Sequence, residues 1–278
     1  MPASMGEDPI GPWLSEDRAE EDVTSRSLIP EDAEAEAEIC TKQPLVVAGL
    51  DTACRVLETD GVTVDPEVED GQRVDAGELL AEAHGPAHPL LARERTALNV
   101  LAHLSGIATR TAEIVDRVDE TDAECEVLAT RKTTPGLRER EHEAVRLGGG
   151  RPHRDNLAGS VLVKENHLAF VSVDEAVEAA RSNAGDQTVI VEAETADEAR
   201  AVARASADGV LLDNVDPEGL GDLVELLKRL EPSLTVEASG GITLGTVADH
   251  APHVDRVSLG SLTHSAPAAD VTMLVEPV

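Results

Sequence analysis

Aromatic residues are almost missing. Trp13 and Phe170 stand alone, tyrosine is absent, and the three types make up 1% of 278 residues. A core without rings has to be packed from Val, Leu, Ile and Ala, and a hydrophobic content of 41% supplies them. Lysine is nearly as scarce: it occurs only at positions 42, 132, 164 and 228, and Lys plus Arg total 23 against 55 Asp plus Glu. The formal charge of −32 repels nucleic acid and anionic membrane, so neither is an expected partner. Cys40, Cys54 and Cys125 are odd in number, far apart and free of any CxxC pair. Neither a disulfide framework nor a cysteine zinc site is indicated, and each is expected to be a small buried apolar residue. No run approaches the roughly 20 apolar residues of a membrane span. The acidic N-terminus shows no charged-then-apolar leader. The expectation is a cytoplasmic protein whose acidic surface is adapted to salt-rich surroundings, where screening makes self-repulsion weak.

What is there is concentrated. Between Thr130 and His167 the chain places Arg131-Lys132, then a Gly148-Gly149-Gly150 triplet leading into His153-Arg154, then Lys164. Two of four lysines beside arginine and histidine point to an anion site, because adjacent fork-shaped and point-charge donors suit carboxylate or phosphate.

In chain order, residues 1 to about 22 are acidic and broken by proline and glycine, with Trp13-Leu14 expected to dock a short helix. Ala33 to Ile39 alternates apolar and acidic residues, as a half-buried strand does. Val46 to Leu57 reads as a short helix introduced by Gly49 and Asp51, and Val62 to Ala83 as short β-like runs between turns. Leu90 to about Asp119 is helical, with Gly106 expected to mark a break between two helices. Arg93 and Arg95 open that segment, and a surface position is the simplest expectation for either. A small α/β sandwich over residues 1–110 is expected, with the extreme C-terminus free to pack on it. Residues 111–278 should form a second domain.

There the grammar changes. Strand-like runs at Cys125–Ala129, Val161–Val163, Thr188–Glu192, Gly209–Leu212, Leu234–Glu237 and Val254–Leu259 alternate with helical ones. Ser172 to Glu175 and Thr195 to Glu198 are capping-box patterns, and Asp216-Pro217-Glu218 predicts a cap with proline at the first helical position. Repeated strand–helix units mean a parallel sheet with right-handed crossovers. About six strands point to an open, incomplete TIM-like α/β barrel.

Arg131-Lys132, Lys164, Glu192, Asp213, Ser239-Gly240-Gly241 and Gly260-Ser261 all fall at or just after strand ends, where such barrels carry their sites. The set combines a cationic cluster with His153, two carboxylates on adjacent strands, and late glycines whose bare N–H groups can cradle phosphate. Phosphoribosyl transfer fits this combination. The competing readings are a structural ion pair of Glu192 and Asp213 with Lys164 or Arg131, and a plain turn at Ser239-Gly240-Gly241. His142, His250 and His253 are expected on the surface, and His84 and His88 in a loop.

At this point the chain resembles the quinolinate phosphoribosyltransferase family, carboxylating nicotinate-nucleotide diphosphorylases. The resemblance covers nearly the whole chain. It rests on Glu94–Asn99, Leu104–Thr109, Thr130–Arg138, Ala144–Arg146 with the glycine triplet, Lys164–His167, Leu211–Asn214, Glu237–Ile242 and Leu262–Ser265, in that order. It implies an N-terminal α/β sandwich, a C-terminal open barrel, and a homodimer or a hexamer built as a trimer of dimers, with Arg95 acting in trans. By resemblance, Arg131, Lys132, His153, Arg154 and Lys164 bind quinolinate, and both lysines also lie near 5-phosphoribosyl 1-pyrophosphate. Glu192 and Asp213 match positions that hold ribose hydroxyls and Mg²⁺, and Ser239, Gly240, Gly241 and Gly260 match the 5-phosphate cradle. Lys132, Lys164, Glu192 and Asp213 are the expected catalytic residues. The chain has Pro152, Asn156, Gly159 and Glu165 where the family usually has Asn, Gly, Asp and Asp, so the loop after Arg154 is expected to differ in shape. The alternatives are a phosphoribosyltransferase acting on nicotinate, a paralogue linked to molybdate transport, or a non-catalytic barrel that binds a phosphorylated metabolite.

Overall fold

The computed structural model describes residues 9–278, so the expectation for the first eight residues lies outside the described ones. The chain divides into two compact units: residues up to Thr109 together with Pro267–Val278, and Arg110–Ala266.

The first unit is built on β1 (Glu34–Thr41), which buries alternate residues. Ala35, Ala37 and Ile39 face the core while Glu34, Glu36 and Glu38 face solvent, so one acidic strand serves both core and surface. After β2 (Leu45–Val46), β3 (Thr63–Pro66), β4 (Arg73–Val74) and β5 (Leu79–Pro86), the sheet is completed by the chain's final strand, Val271–Pro277. Its order is final strand, β1, β5, β3, all antiparallel. Helix Leu50–Leu57 and the start of a long helix, Ala87–Asp119, bury Leu50, Leu57, Leu90 and Leu101 into the same core as Ile39 and Leu80. Helix Ile10–Glu16 sets Trp13 and Leu14 against this core, and Asp22 caps the next helix, Val23–Leu28, by accepting from the amides of Thr24 and Ser25.

The long helix runs unbroken through Gly106, against expectation. The reason is packing: a Cβ at Gly106 would collide with the carbonyl oxygen of Pro267, whose carbon would lie at 3.1 Å. The glycine admits a crossing backbone; it does not end a helix. Arg93 is buried and bonds Asp60 and the Thr59 carbonyl, so it is no surface residue. His84 lies in β5 and His88 in the first turn of the long helix, so neither is in a loop.

The second unit is a seven-stranded, all-parallel sheet: β6 (Glu126–Ala129), β7 (Arg151–Pro152), β8 (Val161–Val163), β9 (Val189–Ala193), β10 (Gly209–Asp213), β11 (Thr235–Ser239) and β12 (Arg256–Leu259). The order is β7-β6-β12-β11-β10-β9-β8. The two edges, β7 and β8, do not pair, so the barrel is open. The two-residue β7 was invisible in the sequence because it is too short to alternate. Both capping boxes form, at Ser172 and Thr195. Helix Leu220–Leu230, however, starts after Gly219 at φ 81°. Asp216 instead closes the preceding turn by accepting from the Glu218 amide at 2.9 Å, so Pro217 stands before the helix.

Candidate active site

The parallel sheet aims every strand's carboxyl end the same way, and the sequence-predicted residues of this unit collect there. Lys164 follows β8 and forms an ion pair with Glu192 of β9. Glu192 is 6% exposed. Burial pushes its carboxyl above the usual value, while Lys164 pulls it down and Glu165 and Asp213 push it up. Asp213 ends β10, and its Oδ2 accepts from Asn214 Nδ2 at 2.9 Å. The ion pair that a purely structural network would make is therefore present for Glu192, but it leaves Asp213 without a cation among the described residues.

Ser239 ends β11, its hydroxyl donating to the Ser258 carbonyl at 3.3 Å. Gly240 and Gly241 follow with φ of 81° and 63°. A side chain at Gly240 would run into Asn214 and would sit 2.7 Å from Asp213 Oδ1. That combination of left-handed backbone and close carboxylate is more than a plain turn requires. Beyond β12, Gly260 is covered by the Lys132 side chain, whose Cδ would be 2.8 Å from a Cβ there, and by His264 at 3.0 Å. Ser261 opens the short helix Ser261–His264. The loop bearing Lys132 is tied to this corner, because Thr263 Oγ1 donates to the Lys132 carbonyl at 2.9 Å.

The other cations come from β6 and β7. Burial first, and then the like charge of Arg131, hold the Arg154 guanidinium below its ordinary value. Arg154 donates to the Ser160 carbonyl at 3.1 Å. Arg131 Nε is buried with no hydrogen-bond partner. A buried guanidinium nitrogen without a partner is what an anion would satisfy. His153, next to β7, puts Nε2 3.1 Å from Glu237 Oε2, both side chains nearly fully buried.

Helix Arg138–Leu147 props up these loops. Buried Glu141 accepts from the Thr134 amide at 3.1 Å, and His142 lies 3.4 Å from Asp155. His142 and His250 are 1% and 7% exposed, contrary to the surface expectation, whereas His253 is exposed. Arg95 belongs to the first unit, exposed and 3.7 Å from Glu94; the cluster described here is built by the second unit alone. Sequence reasoning missed Glu237, Asn214 and His264 as members of the site. A glutamate inside an otherwise apolar strand run was the one readable signal.

Two carboxylates on neighbouring strands, with no third protein ligand grouped with them among the described residues, suit an ion bound partly through substrate oxygens. Mg²⁺ commonly binds so, through one or two carboxylates and phosphate. Burial has already pushed Cys125 and Cys54 up to about 12, so these thiols stay protonated near neutrality and are poor nucleophiles.

The family profiles and the relatives above 30% identity agree with one another. The profile of the quinolinate phosphoribosyl transferase N-terminal domain matches residues 22–105, and that of the C-terminal domain residues 107–274. A probable nicotinate-nucleotide pyrophosphorylase (carboxylating) of Bacillus subtilis is 40% identical over 271 residues, covering 94% of this chain and 90% of the relative. The nicotinate-nucleotide pyrophosphorylase (carboxylating) of Homo sapiens is 40% identical over 268 residues, covering 95% and 89%. The crystal structure of NadC from Streptococcus pyogenes superposes with a TM-score of 0.88 at 36% identity, covering 98% of this chain and 96% of that one. A human nicotinic acid phosphoribosyltransferase, at 16% identity and a TM-score of 0.63, shares the fold alone.

Proposed function

This chain belongs to the quinolinate phosphoribosyl transferase family, and from that premise we propose the site's chemistry: transfer of the phosphoribosyl group of 5-phosphoribosyl 1-pyrophosphate to quinolinate, with decarboxylation to nicotinate mononucleotide in NAD biosynthesis. The observation that carries it is the pair of cations Arg131, whose buried Nε has no hydrogen-bond partner, and Arg154, on the sheet that also carries the Lys164–Glu192 ion pair with Asp213 and the Gly240-Gly241 cradle. An acceptor bearing two carboxylates explains the first group, and a phosphorylated ribose the other two.

In this reading, Arg131, His153, Arg154 and Lys164 hold the quinolinate carboxylates, and Arg95 of a partner chain completes the clamp. Ser239, Gly240, Gly241, Gly260 and Ser261 receive the 5-phosphate through hydroxyl and backbone N–H donors. Glu192 and Asp213 hold the ribose hydroxyls and would hold Mg²⁺. When bound, Mg²⁺ supplies neutralising charge at the pyrophosphate. Lys132 and Lys164 add charge on the same side. The acceptor's ring nitrogen forms a bond to the anomeric carbon as the carbon–oxygen bond to pyrophosphate breaks. The ring is then cationic, so the carboxylate beside the nitrogen leaves as CO₂ and its bonding electron pair stays on the ring carbon, which takes up a proton. The assembly is a homodimer or a trimer of dimers, and the acidic surface is an adaptation to salt.

The competing acceptor is nicotinate, which carries one carboxylate. Purified protein given the ribose donor and Mg²⁺ should form nicotinate mononucleotide with quinolinate and far more slowly with nicotinate. Equal rates, or turnover of nicotinate alone, would overturn the dicarboxylate assignment.

A further inference from the structure

Asn214 follows β10 directly and stands at φ 56°. Five non-glycine residues among the described ones occupy the left-handed region: Arg18, Asp60, Asp122, Ser206 and Asn214. Asn214 alone of these follows a strand of the parallel sheet. Glycine takes that conformation without cost, whereas asparagine only tolerates it. An asparagine held there points to a use for its side chain. Core packing is not that use, because the residue is exposed. Its Nδ2 donates to Asp213 Oδ2 at 2.9 Å, and its backbone N–H donates to the Ser239 carbonyl at 2.9 Å. Its amide group also covers Gly240, where a Cβ would lie 2.6 Å from Asn214 Cγ and 2.7 Å from Asp213 Oδ1. One residue thus ties the end of β10 to the end of β11 and to the first glycine of the cradle.

We infer that Asn214 is a positioning residue: it holds one oxygen of Asp213 and leaves the other, Oδ1, turned toward the glycine cradle, so that the ribose hydroxyls and the 5-phosphate of one donor are gripped together. The terminal torsion of an aspartate is broad, and an untethered Asp213 would spread its oxygens over many orientations. Fixing it in advance removes that ordering cost from binding. The choice of an amide matters as well. Glu192 is held by the cation of Lys164, which neutralises part of its charge. The neutral Asn214 donor fixes Asp213 and leaves its full charge for hydroxyl donors or a cation. The inference deepens the proposed reaction and rests on it for the identity of the ribose ligand, but the pairing of Asn214 with Asp213 does not depend on any substrate.

The test uses the full-length protein and Asn214→Gly, which keeps the left-handed backbone and its N–H but removes the side chain, with thermal melting to confirm folding. Two probes divide the site: inorganic phosphate reads the cradle alone, and ribose 5-phosphate reads the cradle and Asp213 together. By calorimetry, Asn214→Gly should bind ribose 5-phosphate roughly tenfold more weakly, the size of one charge-assisted hydrogen bond, and inorganic phosphate within about twofold of the parent. Asn214→Asp, which sets a second carboxylate against Asp213, should weaken ribose 5-phosphate at least as much. In turnover, the KM for 5-phosphoribosyl 1-pyrophosphate should rise while that for quinolinate stays within about twofold. Because Asn214 acts through Asp213, adding Asn214→Gly to Asp213→Ala should cost ribose 5-phosphate nothing further. Unchanged ribose 5-phosphate affinity in Asn214→Gly, an equal loss for both probes, or full additivity in the double variant overturns the inference. Side-chain amide ¹⁵N–¹H spectra, with Asn214 assigned by its loss in Asn214→Gly, separate the inference from the reaction. The Asn214 signal should move in Asp213→Ala, and indifference to that change overturns the inference whatever the substrate. A parent that binds neither probe contradicts the proposed reaction, and the amide signal still decides the pairing.

Discussion

Lys132 and Lys164 look alike in the sequence and are held differently in the fold. Lys164 is spoken for by Glu192, whereas Lys132 lies over Gly260 with its carbonyl anchored by Thr263. Replacing either with alanine removes a charge-assisted contact worth about 1.5–3 kcal/mol. Each variant should therefore lose one to two powers of ten in kcat/KM with its melting temperature little changed, and near-parental kinetics in both would remove the anion clamp. Lys164→Ala additionally strips Glu192 of its cation, so its carboxyl should titrate still higher. His142 gives a pH prediction at the same scale. Burial holds its ring below the ordinary 6.5, so the folded protein favours the neutral ring. Its contribution is fully present above about pH 6.5, and it is lost as the pH falls through that value toward the folded one, because unfolding then takes up a proton. Melting curves should show the parent losing more stability than His142→Gln between pH 7 and 5; parallel curves would contradict the burial argument.

Elements whose residues announce a period were legible; those set by contacts were not. β1 was readable from strict alternation, and the helices at Ser172 and Thr195 from their capping boxes, because local chemistry fixes them. The helix after Asp216 was misplaced by a few residues, since Gly219 in a left-handed conformation overrides the Asp-Pro signal. Gly106 was misread because its cause is Pro267, 161 positions away in the chain and adjacent only in the fold. That contact makes a prediction. Alanine in place of glycine inside a helix normally gains about 1 kcal/mol. Here the methyl would meet backbone that cannot swing aside, and overpacking costs typically about 1–3 kcal/mol. Gly106→Ala should therefore lower the melting temperature, and a rise would mean that the final segment yields easily. The cationic site residues were legible as an excess of basic charge in a chain that avoids it. The burial of Glu237 was not, since the ring that faces it, His153, comes from a distant part of the chain.

At the scale of the whole molecule the acid dominates. A formal charge of −32 doubles in a dimer, and the screening length falls from about 10 Å at 0.1 M salt to 3 Å at 1 M. Molar KCl should remove most of the self-repulsion and ease the approach of two anionic substrates, while close, desolvated pairs at the site are screened least. Melting temperature and activity should both rise between 0.1 M and 1 M KCl; maxima at low salt would reject adaptation to salt without touching the reaction. Sharing of the site between chains is tested by dissociating and reassociating Arg95→Ala with Asp213→Ala, two inactive variants whose mixed dimers should regain one intact site. No recovery would place Arg95 outside the partner's site. The reaction itself is tested most directly with quinolinate labelled in the carboxylate beside the ring nitrogen, supplied with 5-phosphoribosyl 1-pyrophosphate and Mg²⁺. The account predicts labelled CO₂, pyrophosphate and nicotinate mononucleotide in equal amounts, with no release when the ribose donor is omitted. Label retained in the nucleotide, or CO₂ released without the donor, would contradict it.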